Sequence, residues 1–167
     1  TFLLCNQVGG NDDLLFDGRS IAGWPDGTIV QGPAWSSGIL LIDIENPRAA
    51  TWIAIDSDSS DLEFVAHDEE PKFPPKGQDL LSAVTMGLAD YCHKSGIGKI
   101  VLGMSGGIDS AVCAVIACDA VGPENVLGLA MPSRHSSDHS IEDAKATAEA
   151  LGMELQILPI NEIHSSV

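Results

Sequence analysis

The sequence predicts an α/β protein built in two parts: a β-rich opening third, then the first β-α-β-α-β of a parallel sheet. Three observations predict this. Up to about residue 55, short apolar runs alternate with clusters of Gly, Pro, Asn and Asp, the pattern of short strands joined by turns. Residues 56–77 are rich in Asp, Glu, Ser and Pro, with Pro71, Pro74 and Pro75 close together, which reads as an extended, solvated linker. From residue 78 onward, apolar residues recur at helical spacing between short strand-like runs, and that order implies parallel strands with right-handed crossovers.

In the first part, Phe2 to Val8 is an apolar run ended by Gly9-Gly10, and Asn11-Asp12-Asp13 is a polar turn rather than a calcium loop, because the later ligands of that motif are missing. Leu14 to Ile21, Thr28 to Val30 and Ile39 to Ile44 are the following strands. Pro25-Asp26-Gly27 is a tight hairpin turn, since Pro presets φ and Gly accepts the left-handed position.

In the second part, Asp79 to His93 is a helix whose apolar face is Leu80, Leu81, Val84, Leu88 and Tyr91. Gly96-Ile97-Gly98 ends it, with His93 placed to favour the helix dipole. Lys99 to Leu102 is a short buried strand, and Asp109 to Val121 an Ala-rich apolar helix. Val126 to Met131 is the second strand, Ile141 to Leu151 the next helix and Leu155 to Ile160 the third strand. Ser140 with Asp143 resembles a capping box at the start of that helix, and Gly152 closes it as the residue after the C-cap.

The chain carries 24 acidic residues against 8 Lys plus Arg, a formal net charge of −16, which argues against nucleic acid or an anionic membrane as the partner. No apolar run approaches the length of a membrane span. An acidic protein that binds an anionic nucleotide must do so locally, with backbone N–H groups, a helix N-terminus and divalent cations. Cys5, Cys92, Cys113 and Cys118 show no C-x-x-C spacing and read as reduced, buried thiols of a cytoplasmic protein, not as a disulfide framework, a zinc site or a nucleophile. His135 and His139 are four residues apart but lack a third ligand and read as loop histidines. The chain begins at Thr1 inside a strand-like run without a signal peptide, as a fragment or processed chain would.

The chemistry is concentrated where the strand ending at Leu102 runs through Gly103-Met104-Ser105-Gly106-Gly107-Ile108-Asp109-Ser110 into a helix. Gly106 and Gly107 let the backbone turn sharply and approach phosphate oxygens closely. N–H groups of the loop and of the helix start point at a bound anion, the hydroxyls of Ser105 and Ser110 add donors, and Asp109 is a candidate Mg²⁺ ligand. A Walker A loop is excluded because no Gly-Lys-Ser/Thr is present, and the dinucleotide fingerprint because the glycine spacing is not G-x-G-x-x-G. A bare Ser-Gly-Gly would read as a flexible turn before a capped helix; six such residues between a strand and a helix read as a phosphate loop. In open parallel sheets this position, the carboxyl end of a strand, is where ligands bind.

Ser105-Gly106-Gly107-Ile108-Asp109-Ser110 resembles the loop of the ATP pyrophosphatase superfamily, which cleaves ATP to AMP and pyrophosphate. Met131-Pro132-Ser133-Arg134-His135-Ser136-Ser137-Asp138-His139-Ser140 looks like the adenine-side loop of NAD synthetases. The stretch from Asn6 through Gly10, Asp13 and Asp17 to Ser20 is similar to the late strands of a nitrilase-type amidase domain. Together they resemble the glutamine-dependent NAD⁺ synthetase family, over nearly the whole chain. The resemblance implies the β-rich end of a nitrilase-like αββα domain at 1–55, the linker at 56–77, and at 78–167 the first half of an adenine nucleotide α-hydrolase-like domain.

What it implies for function is ATP-dependent synthesis of NAD⁺ from deamido-NAD⁺ through an adenylated intermediate, with ammonia drawn from glutamine. Gly103, Ser105, Gly106, Gly107, Ile108, Asp109 and Ser110 would bind ATP, with Asp109 also on Mg²⁺. Ser133 and Arg134 would contact adenosine or phosphate. Met104 stands where the family more often has Leu, a conservative apolar change. The full-length protein would be a homo-oligomeric ligase. The family's amidase Cys, Glu and Lys lie upstream of the Asn6 stretch, so Cys5 does not match the nucleophile. The deamido-NAD⁺ contacts and a second acidic metal ligand would lie beyond this chain. On that reading the chain alone has neither glutaminase nor complete synthetase activity. The rival readings are another ATP pyrophosphatase, such as a GMP synthetase, and a non-catalytic ATP-binding module.

Overall fold

The computed structural model describes residues 1–46, 49–54, 63–66, 74–132 and 138–160, with only the backbone described for 63–66 and 138. The chain divides into two compact units, Thr1–Gly87 and Leu88–Val167.

The first unit is a set of small antiparallel sheets. Strand β1 (Phe2–Leu4) pairs with β4 (Ile21–Gly23), and β4 with β5 (Ile29–Gln31). Strands β2 (Val8–Asn11) and β3 (Leu14–Asp17) form a hairpin across the two-residue turn Asp12-Asp13, with Asp12 at φ +52. Strand β6 (Gly38–Leu41) pairs with β7 (Thr51–Ala54), which pairs with β8 (Glu63–Ala66).

The strand boundaries depart from the apolar runs for polar reasons. The first run divides at Asn6, whose Nδ2 donates to Gly18 O at 2.8 Å and to Asp17 Oδ1 at 3.2 Å, so Gly9-Gly10 lies inside β2 instead of ending a strand. The run expected from Leu14 to Ile21 is likewise split, at Gly18 and Arg19, both with positive φ. The strand expected to reach Ile44 stops at Leu41, and Asp43 Oδ1 then accepts the N–H of Glu45 at 2.9 Å, closing a local turn. The Pro25-Asp26-Gly27 turn forms as expected: Trp24 N donates to Thr28 O at 2.9 Å and Thr28 N to Asp26 Oδ1 at 2.9 Å. The Thr28 N–H is also the main reason that the Asp26 carboxyl titrates below its usual range. Among the described residues of this unit Ala22, Ala50, Trp52 and Ile53 are the buried apolar side chains, and the Trp52 ring lies against Gly32 and Gly38. Strand β8 falls within the stretch whose composition reads as linker.

Helix α1 (Lys76–Ser95) is continuous across the division between units. Its periodicity is helical, as expected, but most of the expected apolar face is exposed: Leu80, Leu81, Val84 and Tyr91 are 63%, 39%, 41% and 64% accessible. Of those five, Leu88 packs against the second unit's core, and Cys92 is buried. Periodicity reports that a face wants covering, not which residues cover it.

The second unit holds the expected β-α-β-α-β. Strand β9 (Ile100–Gly103), helix α2 (Ile108–Val121), strand β10 (Val126–Ala130), helix α3 (Asp138–Leu151) and strand β11 (Glu154–Ile157) build a parallel sheet of order β11-β10-β9. The core is Met104, Ala114, Ala117, Cys118, Val126, Ala144, Ala148 and Met153. Five of those eight are Ala or Cys, so the helices approach the sheet on small side chains. Helices α1 and α3 both end in the paired hydrogen bonds of a left-handed C-cap: Gly96 N to His93 O and Ile97 N to Cys92 O, then Gly152 N to Glu149 O and Met153 N to Ala148 O. Gly152, at φ +71, is the expected closing residue.

Three expectations need correction. Helix α3 starts at Asp138, so Ser140 sits within its first turn and is no N-cap, and His139 is an exposed helical residue within 3.6 Å of Glu142. His135 lies outside the described residues. All four cysteines are free, but Cys5 and Cys113 are exposed while only Cys92 and Cys118 are buried. An Ala-rich apolar sequence hides which side of a helix faces the sheet, and α2 places Cys118 inward and Cys113 outward. Burial, then the nearby Asp119 charge, raises the Cys118 thiol pKa. Among the described residues no helix is long and apolar enough to cross a membrane.

Candidate functional site

The loop expected to carry the chemistry leaves the carboxyl end of β9 and enters α2. Its base is fixed by Met104, which is 5% exposed in the core and whose N–H donates to Leu129 O of β10 at 2.8 Å. The neighbouring residues face outward: Gly103, Ser105, Gly107, Ile108 and Asp109 are exposed, and Ile108 is 76% accessible. An isoleucine so exposed at the mouth of a loop does no work in the core.

Gly106 has φ +76, and a Cβ there would stand 2.3 Å from the carbonyl oxygen of Ser140 in the first turn of α3. Two constraints therefore demand glycine at one position: a left-handed backbone and a contact that leaves no room for a methyl group. The contact also puts the first turn of α3 against the loop, which sequence reasoning missed. A non-local backbone contact of this kind has no signature in the sequence beyond the glycine itself.

The two serines organise the turn. Ser105 N donates to Ser110 Oγ at 3.3 Å, the two hydroxyl oxygens lie 3.1 Å apart, Gly107 N donates to Ser105 Oγ at 3.2 Å, and Ser110 Oγ donates to Gly107 O at 2.9 Å. Because the Ser110 proton goes to Gly107 O, Ser105 is the donor between the hydroxyls. Gly107 is the N-cap of α2 and supplies no side-chain cap. The first-turn N–H groups of Ile108, Asp109 and Ser110 have no acceptor within the helix by geometry, and a helix start with such donors attracts anions, by about 0.3–1 kcal/mol for a surface charge. Asp109 stands in the same first turn, with its carboxylate in solvent. Among the described residues no cluster of three or more His, Cys, Asp or Glu forms a ready-made metal cage. Magnesium does not need one, since it is commonly held by one or two carboxylates together with substrate phosphates and water. Asp109 suits that role.

The structure thus brings Gly103, Ser105, Gly106, Gly107, Ile108, Asp109 and Ser110 together on one strand-to-helix turn. Ser133 and Arg134 lie outside the described residues.

A second constellation went unforeseen. In the first unit Arg19 forms ion pairs with Asp17 and, at 2.6 Å, with Asp79 in the first turn of α1. The Arg19 guanidinium also lies 5.8 Å from the centre of the Trp35 ring, whose Nε1 donates to Asp79 Oδ1 at 2.7 Å. The Trp35 hydrogen bond, and then Arg19, hold the Asp79 carboxyl below its usual range. Burial works against the Arg19 charge, but its hydrogen bonds to Asp17 and Asp79 outweigh that and raise its pKa. An acid in the first helical turn was the only sequence signal; nothing marked its partners, 60 and 44 residues away.

Comparison with known proteins agrees with this geometry. Residues 80–167 match the NAD synthase family. A glutamine-dependent NAD(+) synthetase of Synechocystis sp. is 43% identical over 159 residues, covering 95% of this chain and 26% of that protein. The solved glutamine-dependent NAD⁺ synthetase of Acinetobacter baumannii, in complex with adenosine diphosphate, superposes with a TM-score of 0.77 at 33% identity over 98% of this chain and 29% of its own. The NH3-dependent NAD synthetase of Campylobacter jejuni is similar over only 53% of this chain and 38% of its own, with a TM-score of 0.50 and 32% identity. The chain therefore spans about a quarter to a third of the length of the glutamine-dependent relatives it matches.

Proposed function

This chain belongs to the NAD synthase family, and on that premise we propose that it forms the junction of a glutamine-dependent NAD⁺ synthetase, a cytoplasmic carbon–nitrogen ligase. The observation that carries the proposal is the turn at Ser105–Ser110, with its left-handed Gly106 seated on Ser140 and its uncapped helix start behind it. The contrast between the relatives supports the glutamine dependence: likeness to the glutamine-dependent enzyme extends over 98% of the chain, but to the NH3-dependent one over 53%. Residues 1–55 are then the end of the nitrilase-like amidase, 56–77 the connection and 78–167 the start of the synthetase.

The reaction in the full protein has two balanced steps. The nicotinate carboxylate of deamido-NAD⁺ attacks the α-phosphorus of ATP and expels pyrophosphate, giving an acyl adenylate. Ammonia released from glutamine then attacks the acyl carbon and expels AMP, leaving the amide of NAD⁺. A carboxylate is a poor acyl donor, and adenylation replaces a poor leaving group by a good one. The first-turn N–H groups of α2 and the hydroxyls of Ser105 and Ser110 accept the charge that grows on the departing pyrophosphate. To meet a phosphate oxygen, the Ser105 hydroxyl turns away from Ser110. Asp109 would hold Mg²⁺, which when bound offsets phosphate charge. Ser133 and Arg134 are proposed to contact adenosine or phosphate. The full protein is proposed to be a homo-oligomer.

The test uses the full-length parent protein. Pyrophosphate release from ATP should require deamido-NAD⁺; release without it, or none at all, contradicts the assignment. A GMP synthetase or a non-catalytic nucleotide sensor fails the same assay. Asp109→Ala should lower adenylation by at least about 100-fold, the scale for removing one preorganised electrostatic group, while glutamine hydrolysis chemistry survives. Retained NAD⁺ formation in that variant would remove Asp109 from the mechanism.

A further inference from the structure

The cluster around Asp79 is built with two bulky residues in the left-handed backbone region. Only three non-glycine residues with positive φ occur among the described residues: Asp12, Arg19 and Trp35. Asp12 sits in a hairpin turn, where a short polar side chain tolerates that region. Arg19 (φ +52) and Trp35 (φ +58) are bulky, and neither stands in a two-residue hairpin turn. Both converge on one carboxylate: Arg19 Nη2 donates to Asp79 Oδ1 at 2.6 Å and Trp35 Nε1 to the same oxygen at 2.7 Å.

The backbone beneath holds both residues in place. Arg19 N donates to Pro33 O at 3.1 Å, Trp35 N to Asp17 O at 2.9 Å, and Gly18 bridges antiparallel to Ala34. Asp17 is tied in turn to Asn6 Nδ2, and Asn6 N to Ser20 Oγ at 3.0 Å. Strained conformations that survive inside a network which over-determines them are found where a side chain must be aimed. What these two are aimed at is the first turn of α1, one residue before the segment matched to the NAD synthase family begins.

We propose that Arg19, Trp35 and Asp79 form a positioning latch that pins the first turn of α1 to the β-rich unit and so couples glutamine-derived ammonia to NAD⁺ formation. This rests on the function proposed above. None of the three belongs to the proposed phosphate loop; they act through the helix that leads the chain into the synthetase segment. An aspartate accepting an indole N–H and a guanidinium N–H on one oxygen sets both the position and the rotation of that turn. A single surface ion pair would not.

The experiment compares NAD⁺ formation supported by glutamine with that supported by ammonium chloride, in full-length wild type, Asp79→Asn, Trp35→Phe and Arg19→Lys. Misfolded material cancels in the ratio of the two rates, because both are measured on one sample. Asp79→Asn should lower the glutamine-to-ammonia ratio by roughly 3- to 30-fold, the range over which residues remote from both ligands modulate coupling. Trp35→Phe, which keeps the ring under Arg19 but loses the N–H donor, should lower it less, and Arg19→Lys should retain more coupling than Asp79→Asn. Hydrogen exchange should become faster in the first turn of α1 in Asp79→Asn. A ratio within twofold of wild type in Asp79→Asn, or equal losses of both rates, overturns the latch. A wild-type parent that forms no NAD⁺ from either nitrogen source overturns the functional reading, and the latch with it.

Discussion

The two units of this chain are held together by different means. Among the described residues the second has one contiguous core of eight buried residues, most of them small, with helices seated on a parallel sheet. Among the described residues the first buries four apolar side chains and depends on polar ties across its loops: Asn6 to Asp17 and Gly18, Arg19 to Asp17 and Asp79, Trp35 to Asp79 and Trp24 Nε1 to Ile44 O. Hydrophobic burial is non-directional, so a helix-on-sheet core tolerates variation in any one contact as long as volume is kept. Hydrogen-bonded ties are directional, and each fails as a unit when one partner is lost. The unit that carries the Ser105–Ser110 turn is therefore the more conventional of the two, and the turn borrows its rigidity from Met104 below and Ser140 beside it.

That contrast can be broken in graded ways. The largest effects belong to the cores. Trp52→Ala in the first unit should cost about 3–5 kcal/mol, and Met104→Ala in the second about 2–5 kcal/mol, by loss of burial and creation of a cavity. Denaturant unfolding with hydrogen-exchange mass spectrometry checks both. The Trp52 variant should lose protection mainly within 1–87 and the Met104 variant within 88–160; uniform loss in either would mean that the units share one cooperative transition. Gly152→Ala should cost about 1–2 kcal/mol, because a side chain is forced into the left-handed region at the end of α3. The same melts would show it.

The smallest effect is the pH dependence, and its sign differs between the units. Asp79 and Asp26 titrate lower in the fold than free carboxylates, Asp79 mainly through Trp35 and Asp26 mainly through Thr28. Their contribution is complete above the ordinary carboxylate value near ~4 and is lost as pH falls through their lower folded values. Cys118 titrates higher through burial, so its contribution is complete below the ordinary thiol value near ~8.5 and is lost as pH rises through the folded value. Exchange protection should therefore fade first in the first unit on acidification and first around α2 on alkalinisation. The reverse order would refute this assignment of the charges.

What could be read from the residues alone was whatever is decided locally. The strand–loop–helix at Ser105–Ser110, the turn at Asp26-Gly27 and the Gly152 cap each rest on neighbouring residues with their own φ requirements, and all three stand in the structure. The β-α-β-α-β order was legible because apolar period changes from one element to the next. Strand limits around Asn6, Gly18 and Asp43 were not, because side-chain hydrogen bonds to backbone, long-range from Asn6 to Gly18 and local from Glu45 N to Asp43, ended the strands while the apolar run continued. The exposed face of α1 and the outward Cys113 were hidden for a related reason: periodicity identifies a face but not its partner.

The sequence by itself determined that a glycine loop would stand at the carboxyl end of a strand and open a helix, because that depends on backbone freedom and helix-end donors within a few residues. Only the tertiary structure decided that Gly106 presses on Ser140 and that Arg19 and Trp35 reach Asp79. Those contacts join residues 34 to 60 positions apart. Their free energy is realised only after the chain between them has folded, so no short window of sequence carries it.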